Sequence, residues 1–339
     1  MYRCLKPILF CFPPETAHKF TLRALKILHQ LKLTCFLFPT LPPKSVNVFG
    51  LSFKNPVGIA AGLDKNGDYL DCLAALGVGF IEVGAVTPVA QIGNPKPRLF
   101  RLKEKHALIN RMGFNNKGID YLVENLKKRK TGDCLIGVNL GKNKDTPLEK
   151  AQDDYIICLR KIYPYADFMT INISSPNTPG LRELQQENHL ENLLQLVKHE
   201  RDALATQHHK RVPLLVKIAP DLSQAEVRTM LQSIVSVGMD GIIATNTTQA
   251  RDAVQGLKHA GEIGGLSGPP VKELSYQVLQ CIREIDQTIP VISVGGIDSV
   301  QEAERRFKAG TQLVQLYTSL IYQGPYLLRK IIKYFRVMP

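Results

Sequence analysis

The sequence predicts an α/β fold, a parallel (β/α)8 TIM barrel preceded by a small helical extension, on three observations. From residue 45 onward, eight short apolar runs rich in β-branched residues alternate with longer helical stretches, which is how parallel β/α units read. The runs are 57–61, 80–86, 135–140, 168–173, 214–218, 241–245, 291–294 and 313–316. Polar or glycine-rich residues follow each of them, as they do at the working end of a closed barrel. The first such turn, AAGLDKNG at 60–67, lacks the G-x-G-x-x-G spacing of a dinucleotide site on an open sheet. A chain of 339 residues holds one barrel of about 250 residues with extensions at its ends.

The N-terminal segment differs in kind. Residues 14–30, PETAHKFTLRALKILHQ, set Phe20, Leu22, Leu25, Ile27 and Leu28 among basic residues, the pattern of an amphipathic helix. A short apolar piece follows at 31–38, and PTLPPK at 39–44 breaks any helix. The boundary between a helical segment, 1–44, and a barrel domain, 45–339, is placed there. Arg3, Lys6, Lys19, Arg23, Lys26, Lys32 and Lys44 stand in it against the single acid Glu15. Its apolar stretches, 7–13 and 33–41, are interrupted by proline and fall short of the roughly 20 residues that span a bilayer. They also do not form a cleavable leader. The expectation is two helices lying on a membrane surface, basic residues toward anionic lipid, with an apolar entrance between them. In the barrel, helices are expected at 69–76, 117–128, 146–162, 189–205, 224–237, 270–285, 299–309 and 325–335.

A hydrophobic content of 44% with 22% charged residues is that of a folded globular protein and excludes disorder. The net charge of +13 points to an acidic partner: nucleic acid, anionic lipid, or a carboxylate or phosphate ligand. Basic residues are not interleaved with aromatics and no nucleic-acid module is present, so nucleic acid is set aside. The seven cysteines are odd in number, scattered and never spaced C-x-x-C. That fits a reducing compartment and small buried hydrophobes, with no metal site.

Chemistry gathers at the strand ends. In order they carry Asp64 and Lys65; Thr87; Asn139; Asn172 with Ser174, Ser175 and Asn177; Lys217; Thr245, Asn246 and Thr247; Gly295 and Gly296; Tyr317 and Thr318. Any one of these alone reads as a cap or turn residue, but eight ends agreeing mark the barrel mouth as a site. VGGID at 294–298 and LYTSL at 316–320 follow strands seven and eight, where barrels bind phosphate through backbone N–H groups. GGLSG at 264–268 adds a third such turn. Lys65 and Lys217 project into the mouth and need an anionic partner, which a reduced flavin or a carboxylate substrate supplies. Asn139 and Asn172 offer the donors and acceptors that the amide-like edge of a flavin requires.

Eight segments then carry a resemblance to a known family: AAGLDKNG at 60–67, NRMGFNN at 110–116, NLGKNKDTP at 139–147, INISSPNTPGLR at 171–182, KIAPDL at 217–222, TNTT at 245–248, GGLSGPP at 264–270, and VGGID. In this order, from about residue 45 to the C-terminus, they resemble dihydroorotate dehydrogenase. The N-terminal segment resembles the extension of its membrane-associated, quinone-using class 2. The resemblance implies FMN-dependent oxidation of dihydroorotate to orotate in pyrimidine biosynthesis, with electrons passed to a quinone. It implies FMN contacts at Ala61, Gly62, Leu63, Asp64, Lys65, Ala85, Asn139, Asn172, Lys217, Thr245, Gly268, Gly296, Tyr317 and Thr318. It implies substrate contacts at Lys65, Asn110, Arg111, Met112, Gly113, Phe114, Asn172, Asn177, Asn246 and Thr247. Ala85 stands where the family usually has Thr, and Thr318 where it commonly has Ser. Loss of hydride from one ring carbon requires loss of a proton from its neighbour, and the resemblance puts Ser175 at the base position, with Ser174 structural.

Two other readings compete. A related FMN barrel acting on a uracil-type ring in RNA would keep the phosphate turns without the NRMGF and SSPNTPGL combination. A non-catalytic membrane-binding or nucleic-acid-binding protein would explain the charge but not polar groups at eight strand ends. The expected location is peripheral, on the cytoplasmic face of a bacterial inner membrane.

Overall fold

The computed structural model describes residues 2–178, 180–185 and 187–337; Pro179, inside the SSPNTPG segment, lies outside them. Three helices, α1 (Tyr2–Cys11), α2 (Pro14–Gln30) and α3 (Thr34–Leu37), precede a hairpin of β1 (Val46–Val48) and β2 (Leu51–Phe53). Next come β3 (Val57–Ile59), α4 (Leu70–Ala74), β4 (Phe80–Val86), β5 (Leu99–Leu102), β6 (Ala107–Asn110) and α5 (Ile119–Lys127). Strand and helix then alternate through β7 (Leu135–Leu140), α6 (Ala151–Ile162), β8 (Phe168–Asn172), α7 (Glu187–His208), β9 (Leu214–Ile218), α8 (Gln224–Val237) and β10 (Gly241–Ala244). The chain ends with β11 (Gly265–Ser267), α9 (Lys272–Ile285), β12 (Val291–Val294), α10 (Val300–Lys308), β13 (Leu313–Leu316), α11 (Thr318–Gln323) and α12 (Pro325–Val337).

The eight runs read from the sequence are the eight barrel strands. They pair in parallel in the closed order β3-β4-β7-β8-β9-β10-β12-β13. Every residue in them except Leu135 is buried, because helices cover one face and the barrel lumen the other; hence continuous apolar runs rather than alternation. Helix boundaries follow local chemistry: α8 starts at a capping box between Ser223 and Glu226 and stops at Gly238, which is left-handed.

Phenyl rings close the N-terminal end of the barrel. Phe53, delivered by the β1–β2 hairpin, meets Phe80 at 5.4 Å between centroids and Phe168 at 6.4 Å, and Phe80 meets Phe168 at 6.0 Å. Glycine on the neighbouring strands makes room for them. A Cβ on Gly58 would lie 2.4 Å from the Phe80 ring, and one on Gly137 would lie 2.1 Å from that of Phe168. The mouth therefore has one open end.

Two features escape the sequence reading. The hairpin is one; the other is a three-stranded antiparallel sheet, β11-β6-β5, in which Gly265 pairs with Asn110. The N-terminal helices pack onto this sheet and the barrel: α2 lies against α4 and β5, and α1 against α2 and α11. Leu22 is 5% exposed and joins the main core. Arg98 donates to both carboxylate oxygens of Glu15, at 2.8 and 3.2 Å. The segment before the barrel holds three helices rather than the expected two; α1 runs through Pro7, and Arg101 donates to the carbonyls of Phe10 and Phe12 at its end. On the outer side Leu5, Ile8, Phe12, Phe20, Ile27, Leu31, Leu33, Phe36 and Leu37 are exposed. No helix of the described residues is long and apolar enough to cross a membrane.

Candidate active site

The C-terminal strand ends surround a cleft of about 1120 Å³. Register aligns its walls: Asn172 at the end of β8 sits opposite Lys217 on β9, and Gly84 on β4 opposite Asn139 on β7. Three asparagines form a hydrogen-bonded chain across it. Asn246 Nδ2 donates to Ser174 Oγ (3.0 Å) and to Asn172 Oδ1 (3.5 Å), Asn172 Nδ2 donates to Asn139 Oδ1 (2.9 Å), and Asn139 Nδ2 donates to Glu82 (2.7 Å). At the rim Asn177 Nδ2 donates to Asn110 Oδ1 at 3.3 Å.

Ser174 and Ser175 are adjacent but face opposite ways. Ser174 is fully buried and held by Asn172 and Asn246. Ser175 lines the cleft, and also the outer mouth of about 940 Å³ bounded by Asn94, Lys144, Arg182 and Gln249. The backbone N–H of Asn177 donates to Ser175 Oγ at 3.3 Å; among the described residues no acid, histidine or lysine hydrogen-bonds it. Arg182 ties this segment down, donating to the carbonyls of Ser174 and Thr247 and pairing with Asp221 at 3.0 Å.

Lys65 enters from the turn after β3 and donates to Asn115 Oδ1 at 2.8 Å. Burial, with the charge of Arg98 adding to it and that of Glu15 opposing, pulls its ammonium down to about 8. Elsewhere in the cleft Gly268, Gly295 and Gly296 have φ of +99°, +121° and +73°. A Cβ on Gly296 would fall 2.5 Å from the Cα of Lys272, so glycine lets the two loops close on each other. Buried Arg306 donates to the carbonyls of Lys272 (2.7 Å) and Gly295 (3.2 Å) beneath them. Lys65 and Lys217 are the cations lining the cleft, and neither belongs to these glycine loops, whose donors are backbone N–H groups.

Of the contacts implied by the resemblance, all but Leu63, Asp64 and Arg111 line the cleft. Asp64 turns inward to accept from the N–H groups of Asn66, Asp68 and Tyr69 at 3.2, 3.0 and 2.7 Å, and burial raises its carboxyl to about 6 despite them. Arg111 pairs with Glu262 at 2.6 Å in the outer mouth.

Leu63 lines a second chamber, of about 790 Å³, between α1, α2 and the barrel. Its walls include Leu9, Phe10, Ala17, Leu22 and Leu320, with His18, Thr21 and Arg101 among its few polar groups. Burial, and next the charge of Lys65, hold the His18 imidazole down to about 4, which keeps it neutral. Tyr317 borders both this chamber and the cleft. The sequence reading missed His18, Arg101, Gln315 and Glu82. His18 stands in the apolar stripe with Leu22 and Leu25, and Glu82 and Gln315 are lone polar residues in the runs FIEVGAV and LVQL; those interruptions were the available signals.

The family model for dihydroorotate dehydrogenase matches residues 44–337. The chain is 53% identical over 335 residues to a dihydroorotate dehydrogenase (quinone) of Idiomarina loihiensis, covering 98% of this chain and all of the relative. It is 52% identical over 334 residues to one of Proteus mirabilis, covering 98% and 99%. Among solved structures, the DHODH of Eimeria tenella in complex with ferulenol superposes with a TM-score of 0.85 at 38% identity, covering 95% of this chain and 90% of that one. On the family match, the extent of these identities and the shared barrel, the chain belongs to the dihydroorotate dehydrogenase family.

Proposed function

We propose that this chain oxidises (S)-dihydroorotate to orotate, with FMN in the barrel mouth and a membrane quinone as acceptor, in the de novo synthesis of pyrimidine nucleotides. The observation that carries this reading is the pair of chambers meeting at Tyr317, one amide-lined and cationic, the other apolar. The glycine loops suit the phosphate of FMN through backbone N–H groups, and Asn139, Asn172 and Lys217 offer donors and acceptors to a flavin ring. When bound, FMN supplies the two-electron acceptor that connects the two substrates.

The residues of the chain do the rest. Asn110, Asn177 and Asn246 orient a ring with amide edges, and Lys65 places positive charge for its carboxylate. Oxidation removes a hydride from one ring carbon and a proton from its neighbour. Ser175 takes that proton and passes it to water in the outer mouth, which it also lines. The Asn177 N–H fixes its oxygen; general-base help of this type is worth about 10²–10⁴ in rate. On the acceptor side, neutral His18, tied to the Leu63 backbone, forms part of the wall against which a quinone lies, and the exposed apolar residues of α1–α3, flanked by Lys6, Lys19, Arg23, Lys26 and Lys32, rest on anionic lipid at the cytoplasmic face of the inner membrane.

Dihydroorotate oxidation measured side by side with a quinone, fumarate and NAD tests the reading. Turnover with quinone and release of FMN on denaturation are expected. Equal turnover with fumarate or NAD defeats the acceptor assignment, and a colourless protein that takes up no FMN defeats the cofactor.

A further inference from the structure

Glu82 is the only acidic residue in the eight barrel strands. It is 0% exposed, and both carboxylate oxygens are engaged. Oε1 accepts from Asn139 Nδ2 at 2.7 Å. Oε2 accepts from Gln315 Nε2 at 2.9 Å, Lys217 Nζ at 3.1 Å and the backbone N–H of Ala61 at 3.3 Å. Those four partners belong to four different strands or strand ends, and all of them line the cleft.

A carboxylate only accepts, so it dictates what its partners present to it. Asn139 must turn its NH₂ toward Glu82, which leaves its oxygen for Asn172 Nδ2; the Asn172 oxygen is then left for Ser174 and Asn246. One buried charge thus fixes the direction of the amide chain across the site. It also neutralises Lys217 from within the protein, where the sequence reading looked to a ligand for the partner of that cation. Burial alone would raise the Glu82 carboxyl, but Lys217 and the hydrogen bonds of Asn139 and Gln315 outweigh it and hold the group below its ordinary range.

We propose that Glu82 is a positioning residue that orients the Asn139–Asn172–Asn246 chain and, as the standing counter-charge of Lys217, sets the relative affinity of the site for reduced and oxidised flavin. This rests on the flavin reading of the cleft. With Glu82 in place, the charge of Lys217 is largely matched before any cofactor arrives. Without it, that charge acts in full on a flavin that becomes anionic when reduced.

The test is Glu82→Gln in the FMN-loaded full chain, with two readouts other than turnover: the midpoint potential of the bound flavin, and the affinity of the apoprotein for oxidised FMN by fluorescence quenching. The expected result is a potential moved positive, equivalent to an affinity for reduced relative to oxidised FMN raised on the order of tenfold. Lys217→Met in the same background should return the potential toward the wild-type value. A purely structural role would lower the melting temperature and leave the potential unmoved, and that outcome overturns the proposal. If the glutamine variant does not fold, Glu82→Asp keeps the charge but draws it away from Lys217; a smaller positive shift supports the proposal, and an unmoved potential overturns it. A wild-type apoprotein that takes up no FMN overturns the flavin reading itself, whereas normal FMN uptake with an unmoved potential overturns only the role of Glu82.

Discussion

Between pH 7 and pH 9 the hold of the cleft on a carboxylate ligand should weaken, because Lys65 discharges in that interval. Burial lowers its ammonium from an ordinary 10.5 to about 8, with the charge of Arg98 acting in the same direction and Glu15 in the opposite one. The free protein then carries the charge in about nine molecules of ten at pH 7 and about one in ten at pH 9. An anion binds the charged form, so ligand and proton bind together. The apparent dissociation constant of orotate should be nearly flat below about pH 7.5 and rise about tenfold between pH 7 and pH 9. The assay is orotate titration of the oxidised flavoprotein, followed by flavin absorbance across that range. Lys65→Gln should bind orotate weakly with little dependence on pH. A dissociation constant that stays level from pH 7 to pH 9 in the wild type, or a slope that persists in the glutamine variant, would refute the argument that Lys65 faces the ligand.

Three further outcomes are expected. Ser175→Ala should slow flavin reduction in stopped flow by about 10²–10⁴ while orotate still binds, and Ser175→Cys should recover part of the rate with a pH profile drawn toward a thiol of about 8.5; a wild-type rate in the alanine variant, or greater sensitivity at Ser174, removes Ser175 from the mechanism. A chain beginning near Ser45 should still bleach its flavin with dihydroorotate but turn over poorly with a long-chain quinone, since one wall of the apolar chamber leaves with α1 and α2; undiminished quinone turnover counts against that chamber as the acceptor site. Gly137→Ala should cost about 1–3 kcal/mol of stability in urea unfolding, because its methyl group meets the Phe168 ring, and an unchanged unfolding midpoint would show that the barrel floor yields.

What was legible in the sequence follows from what leaves a local trace. The barrel strands are buried on two faces and bounded by polar turns, so a run such as 80–86 announces itself. The strands β1, β2 and β11 have three residues each, too few for a period, and β11 finds its partner β6 about 155 residues away in the chain. Motif membership located the cleft but not the direction of each side chain. Leu63 and Asp64 are neighbours of Lys65 in one turn, yet one faces the apolar chamber and the other the backbone of its own loop. The two serines divide in the same way. Glu82 leaves no mark at a strand end: it stands inside the run 80–86, a single acid among apolar neighbours with no solvent to face.

The stretch from Gln315 to Ile321 serves both halves of the molecule in succession. Gln315 bonds Glu82, Tyr317 stands between the chambers, Thr318 Oγ1 bonds Ser267 across the cleft, and Leu320 and Ile321 line the apolar side. Seven consecutive residues therefore form an indivisible cassette, and exchanging it between homologues to alter one half-reaction would disturb the other. The helices α1 and α2 reach the second chamber from a separate part of the chain and contribute nothing to the lining of the first. Recombination that re-targets the enzyme to a different electron acceptor has its natural crossover in the coil at 38–45, leaving the cassette and the orotate chemistry intact.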